Sequence, residues 1–138
     1  MKSTKTNQKI LLVDDEPDLT TVFSIGLLDN GFKVDVFNDP LLALAGFKKG
    51  SYDLILLDYK MPNMNGFELY AEIRKIDDKV RVCFITAFEI YEEFKKKFQS
   101  SSNTSSQYKR EEVDVKCFLQ KPIDIEELVK RIKKELNS

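Results

Sequence analysis

The chain has 138 residues, 42% hydrophobic and 33% charged, the composition of one ordinary globular domain. Its 22 Lys and Arg against 23 Asp and Glu leave a net charge of −1, which offers no basic excess for coating nucleic acid or lying on a membrane surface. There is no histidine, so Ser-His-Asp and Cys-His catalytic arrangements and His-ligated metal sites are excluded, and any histidine chemistry must come from a partner.

The polar run Met1 to Lys9 is not a signal peptide; residues 1–8 read as a tail ahead of one domain over 9–138. Ile10-Leu11-Leu12-Val13 is a continuous apolar run that stops abruptly at Asp14-Asp15, which suits a strand buried on both faces. Glu16-Pro17 opens a helix whose apolar or small face is Leu19, Val22, Phe23, Gly26 and Leu27, and Asn30-Gly31 ends it. Val34 to Phe37 partly alternates, as a strand nearer an edge does. Asp39-Pro40 starts a second helix, closed by Lys49-Gly50. Leu54 to Leu57 is a second buried run, ending in Asp58 and followed by the loop Met61-Pro62-Asn63-Met64-Asn65-Gly66. Phe67, Tyr70 and Ile73 mark a third helix. Val80 to Ile85 is a strand ending in Thr86. Glu89 to Phe98 reads as a helix with a charged face. Gln99 to Gln107 has no apolar residue, and with the mixed charges that follow it reads as a polar, mobile insertion over 99–112. Val115 to Leu119 is the last strand. Asp124 and Glu127 form a D-x-x-E variant of the capping box, with Ile125, Leu128, Val129, Ile132 and Leu136 as the buried stripe of the last helix. Cys83 and Cys117 lack CxxC spacing and are too few for a disulfide framework, so they read as small buried strand residues in a reduced compartment. No apolar stretch approaches the ~20 residues of a membrane span, which leaves a cytoplasmic location as the expectation.

The order is a strand and a helix repeated five times. That alternation predicts an α/β domain with a parallel sheet and helices on both faces. Sites on such sheets form beyond the carboxyl ends of the strands, so Asp14, Asp15, Asp58, Thr86 and Lys121 should converge. Each has a plain structural reading: a helix cap for the acid pair, a turn residue for Asp58, an ordinary strand end for Thr86 and a strand exit for Lys121-Pro122. Five such residues at successive strand ends, in order, make a stronger pattern. Crowded carboxylates repel, and a hard divalent cation such as Mg²⁺ relieves them while keeping positions for phosphate oxygens. A cation, a lysine and a hydroxyl around one carboxylate suit phosphoryl transfer onto it.

With Leu12-Val13-Asp14-Asp15-Glu16-Pro17, Asp58-Tyr59-Lys60-Met61-Pro62-Asn63-Met64-Asn65-Gly66, Thr86-Ala87 and Lys121-Pro122 in place, the chain resembles the response-regulator receiver domains of two-component signalling, from about Lys9 to Leu136. The resemblance implies a flavodoxin-like, doubly wound sheet of five parallel strands in the order 2-1-3-4-5. It implies Asp58 as phosphoacceptor, with Mg²⁺ held by Asp14, Asp15, Asp58 and the backbone carbonyl of Lys60. It also implies Thr86 and Lys121 as phosphoryl contacts and Phe118 as a switch aromatic coupled to Thr86. The donor would be a histidine kinase or phosphotransfer protein. The output would be a protein partner at the face of the fourth helix, fifth strand and fifth helix, with no nucleic acid or membrane involved. Such a domain is not an enzyme beyond its own phosphorylation and dephosphorylation. Against that family the segment before the last strand is longer than usual by about a dozen residues, and the resemblance puts Lys60 and Phe88 at positions that commonly influence phosphoryl lifetime. Other readings are a receiver-like binding module that works without phosphorylation and a haloacid-dehalogenase-like phosphatase. The phosphatase would want an Asp where Lys60 stands. A flavin carrier would want a Ser/Thr/Gly-rich phosphate loop where the acid pair stands.

Overall fold

The computed structural model describes residues 8–87, 89–90, 92, 96 and 117–137. Strand β1 (Lys9–Val13) lies inside the sheet, with β2 (Lys33–Phe37) on one side and β3 (Leu54–Leu57) on the other. Beyond β3 come β4 (Arg81–Thr86) and β5 (Phe118–Gln120), so the order is β2-β1-β3-β4-β5 with every pairing parallel. Covered on both faces, Ile10 to Val13 and Leu54 to Leu57 are wholly buried, which is why neither run alternates. Edge strand β2 has no fully buried residue.

Successive strand side chains point to opposite faces, and this divides the core in two. Ile10, Leu12, Leu54, Leu56 and Ile85 pack against Phe23 and Leu27 of α1 (Pro17–Asp29) and Leu128 and Ile132 of α4 (Ile125–Leu136). Leu11, Val13, Ile55, Leu57 and Phe84 pack against Ala43 of α2 (Pro40–Gly46) and Leu69 and Ile73 of α3 (Gly66–Ile76). Gly26 lets α1 and α4 touch, since a Cβ there would collide with the Ile125 side chain.

Several local expectations are corrected. Helix α2 stops at Gly46, not Lys49-Gly50, because Phe47 turns extended to bury its ring, which stacks on Tyr52 at 5.9 Å. Val22 is 58% exposed and lies off the buried face of α1, as do Ile25 and Leu28. The reciprocal capping box forms at Asn65 and Glu68, opening α3. At Asp124 the carboxylate accepts the Glu127 N–H and caps α4 from one side. The largest correction is to the cysteines: Cys83 and Cys117 are joined in a disulfide, not free thiols. The β4–β5 register explains it. Phe84 pairs with Phe118, so Cys83 and Cys117 stand opposite one another on the α1/α4 face. Their Cα atoms are 4.6 Å apart, within the range a disulfide spans.

Glu89, Ile90, Glu92 and Lys96 are helical. The rest of the expected helix over 89–98, Phe88, the insertion over 99–112 and the start of the last strand at Val115 lie outside the described residues. No helix among the described residues is long and apolar enough to cross a membrane.

Candidate functional site

The sheet ladder itself delivers the polar strand ends to one place. Asp14 follows β1, and its N–H donates to Phe37 O at 3.2 Å. The Asp58 N–H donates to Val13 O at 3.0 Å, and the Lys121 N–H to Thr86 O at 2.8 Å. Each residue is therefore fixed by the last rung of a parallel pairing. The carboxylates of Asp14, Asp15 and Asp58 each offer an oxygen within 4.8 Å of the others. Asp14 and Asp58 are buried and Asp15 is more open.

Lys121, whose peptide bond to Pro122 is cis, sends its side chain into this cluster. Its Nζ lies 2.9 Å from Asp14 Oδ2, 3.0 Å from Glu16 Oε1 and 3.6 Å from Asp58 Oδ1. The Asp14 contact is the shortest of the three and the most buried. Thr86 is buried, and its Oγ1 has no hydrogen-bond partner among the described residues. A buried orphan hydroxyl is costly, and here it sits at the end of β4, beside the lysine that follows β5.

The electrostatics follow from burial. Desolvation, then the neighbouring Asp14 charge, push the Asp58 carboxyl up to about 7, against the pull of Lys121 and of the Tyr59 N–H. Desolvation also raises Asp14, opposed by Lys121. Lys121 itself loses solvation, which lowers its pKa, but Asp14, Asp58 and Glu16 together hold it above the ordinary lysine value. One ammonium thus faces two buried acids and the exposed Glu16 and cannot neutralise all three. An all-oxygen set of this kind, with open positions, fits Mg²⁺ rather than a thiol- or imidazole-seeking metal.

Asp14, Asp15, Asp58 and Lys121, all expected from the sequence, meet here, and Thr86 adjoins them through the bond from the Lys121 N–H to its carbonyl. Lys60 is exposed, two residues beyond Asp58. Phe118 lies flat on Phe84, ring centroids 5.5 Å apart, and Phe84 meets Phe67 edge-on at 5.0 Å. Phe67 in turn meets Tyr59 at 5.4 Å, so a row of rings joins the residue after Asp58 to Phe118. Gly66 closes this loop: its N–H donates to Tyr59 O at 2.7 Å, and a Cβ would strike the Asp58 carbonyl and stand 3.0 Å from Tyr59 Cα.

Two participants were missed by sequence reasoning. Asn38, which follows β2, donates from Nδ2 to Asp14 O at 2.7 Å and to Thr20 Oγ1 at 3.1 Å. It obeys the same strand-end rule as the others and was legible on that ground. Glu16 reads as a helix start, yet its side chain caps nothing in α1 and instead pairs with Lys121.

The response regulator receiver domain profile matches residues 10–133. Over 126 residues the chain is 31% identical to the transcriptional regulatory protein PcoR of Escherichia coli, covering 91% of this chain and 50% of PcoR. It is 35% identical over 131 residues to hybrid signal transduction histidine kinase B of Dictyostelium discoideum, covering 94% of this chain and 7% of that protein. The chain thus spans half or less of these relatives. Among solved structures, a CheY-like receiver domain protein from Methanospirillum hungatei superposes with a TM-score of 0.72 at 21% identity, covering 96% of this chain and 95% of that one. The response regulator TrrA of Thermotoga maritima, in complex with Mg(2+)-BeF, gives 0.68 at 29% identity over 92% of this chain and 97% of that one. The β2-β1-β3-β4-β5 sheet, the acidic strand ends and these matches together make the chain a member of the response regulator receiver family, a phosphoacceptor signalling domain.

Proposed function

We propose that Asp58 takes the phosphoryl group, from the phosphohistidine of a histidine kinase or phosphotransfer protein. An Asp58 carboxylate oxygen attacks phosphorus, a P–O bond forms, and the P–N bond to the donor imidazole breaks as the imidazole leaves. The observation that carries this reading is the placement of Asp58. It is buried, 3.6 Å from Lys121 Nζ, beside two further carboxylates, with the unpartnered Thr86 hydroxyl at the next strand end.

Mg²⁺ would be held by Asp14, Asp15, Asp58 and the backbone carbonyl of Lys60. Bound there, it would neutralise charge on the transferring phosphoryl oxygens. Lys121 and Thr86 would each donate a hydrogen bond to those oxygens, and the Tyr59 N–H steadies Asp58 Oδ1 at 2.9 Å. The Mg(2+)-BeF complex of TrrA, 29% identical to this chain, supports the cation. The domain is no enzyme toward other substrates; water attack on the acyl phosphate returns Asp58. Lys60 stands where a haloacid-dehalogenase-like phosphatase would need its second acid, which disfavours that reading. Phe118, at the end of the ring row from Tyr59, would pass the change at Thr86 to the face beside β5 where a protein partner binds.

Incubation with acetyl phosphate and Mg²⁺ should add ~80 Da to the intact mass, the increment of one aspartyl phosphate. Asp58→Asn and chelation of the cation should each abolish the gain. Equal labelling of the Asn variant would sink the assignment.

A further inference from the structure

One ammonium at this site answers to three carboxylates, and one of the three stands outside the buried cluster. Glu16 is 61% exposed, yet Lys121 Nζ donates to its Oε1 at 3.0 Å, closer than the 3.6 Å to Asp58 Oδ1. Glu16 is the N-cap of α1 by backbone position but makes no side-chain cap bond. Its carboxylate reaches over the site to Lys121, while its backbone N–H is held by Asp14 Oδ1 at 3.0 Å. Lysine has three N–H donors and no acceptor, and Glu16 occupies one of them on the solvent side.

We infer that Glu16 is a positioning residue that holds the Lys121 ammonium at the rim and competes for it with a phosphoryl group on Asp58. The inference rests on Asp58 being the phosphoacceptor. Glu16 is not one of the three clustered carboxylates, so neutralising that cluster leaves its hold on Lys121 in place. A phosphoryl oxygen must then draw the ammonium inward against Glu16. An exposed ion pair is weak and screened by salt, so the competition trims occupancy without preventing it. Removing the charge with Glu16→Gln should tighten binding of a phosphoryl analogue by about two- to five-fold, the size of an exposed pair.

The test has two arms. In the first, the ¹⁵N resonance of the Lys121 ammonium reports its hydrogen exchange with water, with no phosphoryl group present. Exchange should quicken in Glu16→Gln and return toward the wild-type rate in Glu16→Asp, which restores the charge. In the second, beryllofluoride with Mg²⁺ is titrated into the wild type, Glu16→Gln and Asp18→Asn, at low and high salt. Only Glu16→Gln should bind more tightly, and the gain should fade at high salt. Unchanged Lys121 exchange in Glu16→Gln would overturn the hold on Lys121. An equal gain from Asp18→Asn, an exposed acid two residues along α1, would overturn it in favour of bulk charge. Faster Lys121 exchange, with neither beryllofluoride binding nor mass gain from acetyl phosphate in the wild type, would overturn the phosphoacceptor reading and the competition with it, while leaving the Glu16–Lys121 contact established.

Discussion

Burial pushes the Asp58 carboxyl up to about 7, and the Asp14 charge adds to the shift. The folded state therefore holds this proton more tightly than the unfolded chain, where an aspartate titrates near 3.9. Between about pH 4 and pH 7 the unfolded state ionises first, so stability falls as pH rises through that window and levels off above it. Asp35 and Asp77 are shifted the other way, Asp35 chiefly by the Tyr52 hydroxyl and Asp77 by the Gly50 N–H. Their stabilisation is lost as pH falls, so a single stability curve mixes both signs. A comparison with Asp58→Asn isolates the first. In metal-free buffer, the Tm of the wild type should drop relative to Asp58→Asn by several degrees from pH 4 to pH 7. Millimolar Mg²⁺ should narrow the gap, since a cation bound to the ionised form offsets the repulsion. Parallel curves for the two proteins, with no effect of Mg²⁺, would show that Asp58 ionises without strain. At this scale most of the site was legible: Asp14, Asp15, Asp58, Thr86 and Lys121 announce themselves as polar ends of apolar strands. Glu16 did not, because an acid ahead of Pro17 has an adequate local explanation as a helix start, and only the tertiary reach of Lys121 contradicts it.

Strands β4 and β5 are the elements whose sequence reading changed most. Both were legible as apolar runs. Their covalent link was not, because the sequence separation of Cys83 and Cys117 says nothing of register, and parallel pairing alone brings them opposite one another. The two cysteines are 34 residues apart. Closing a loop of that length in the unfolded chain is worth ~3–4 kcal/mol on the chain-entropy account. Paired replacement, Cys83→Ala with Cys117→Ala, should therefore lower the unfolding free energy by at least that amount, because both side chains are fully buried and also leave space behind. Urea denaturation of the oxidised wild type against the double variant measures it. A difference under about 1 kcal/mol would show that the pair adds no more than a packed thiol does. The end of α2 was misread for a related reason. Lys49-Gly50 is a sound stop signal, and Gly50 does take a positive φ of 79°, but the burial of Phe47 ends the helix three residues sooner.

Across the whole molecule, the alternation of apolar runs and amphipathic stretches was enough to place helices on both faces of a parallel sheet. The split of the core followed from the period of two along each strand, with Leu11 and Leu12 serving opposite faces. The strand order did not follow from that pattern; it came from the resemblance to receiver domains, and the sheet has it. The receiver architecture also explains why the acids gather: β1 and β3 are neighbours, so Asp14 and Asp58 end adjacent strands although 44 positions separate them in the chain.

The Cys83–Cys117 bond makes a ring of the chain between those two residues. A protease that cuts one peptide bond within the ring yields two polypeptides but one molecule. The amino-terminal piece would carry Asp14, Asp15, Asp58 and Thr86; the carboxyl-terminal piece would carry Phe118, Lys121 and α4. Without reductant such a nicked protein should run as a single species at the full mass, and with reductant as two bands. The halves of the proposed phosphorylation site would thus stay tethered after cleavage, and a nicked preparation should still gain mass from acetyl phosphate until its disulfide is reduced and the fragments part.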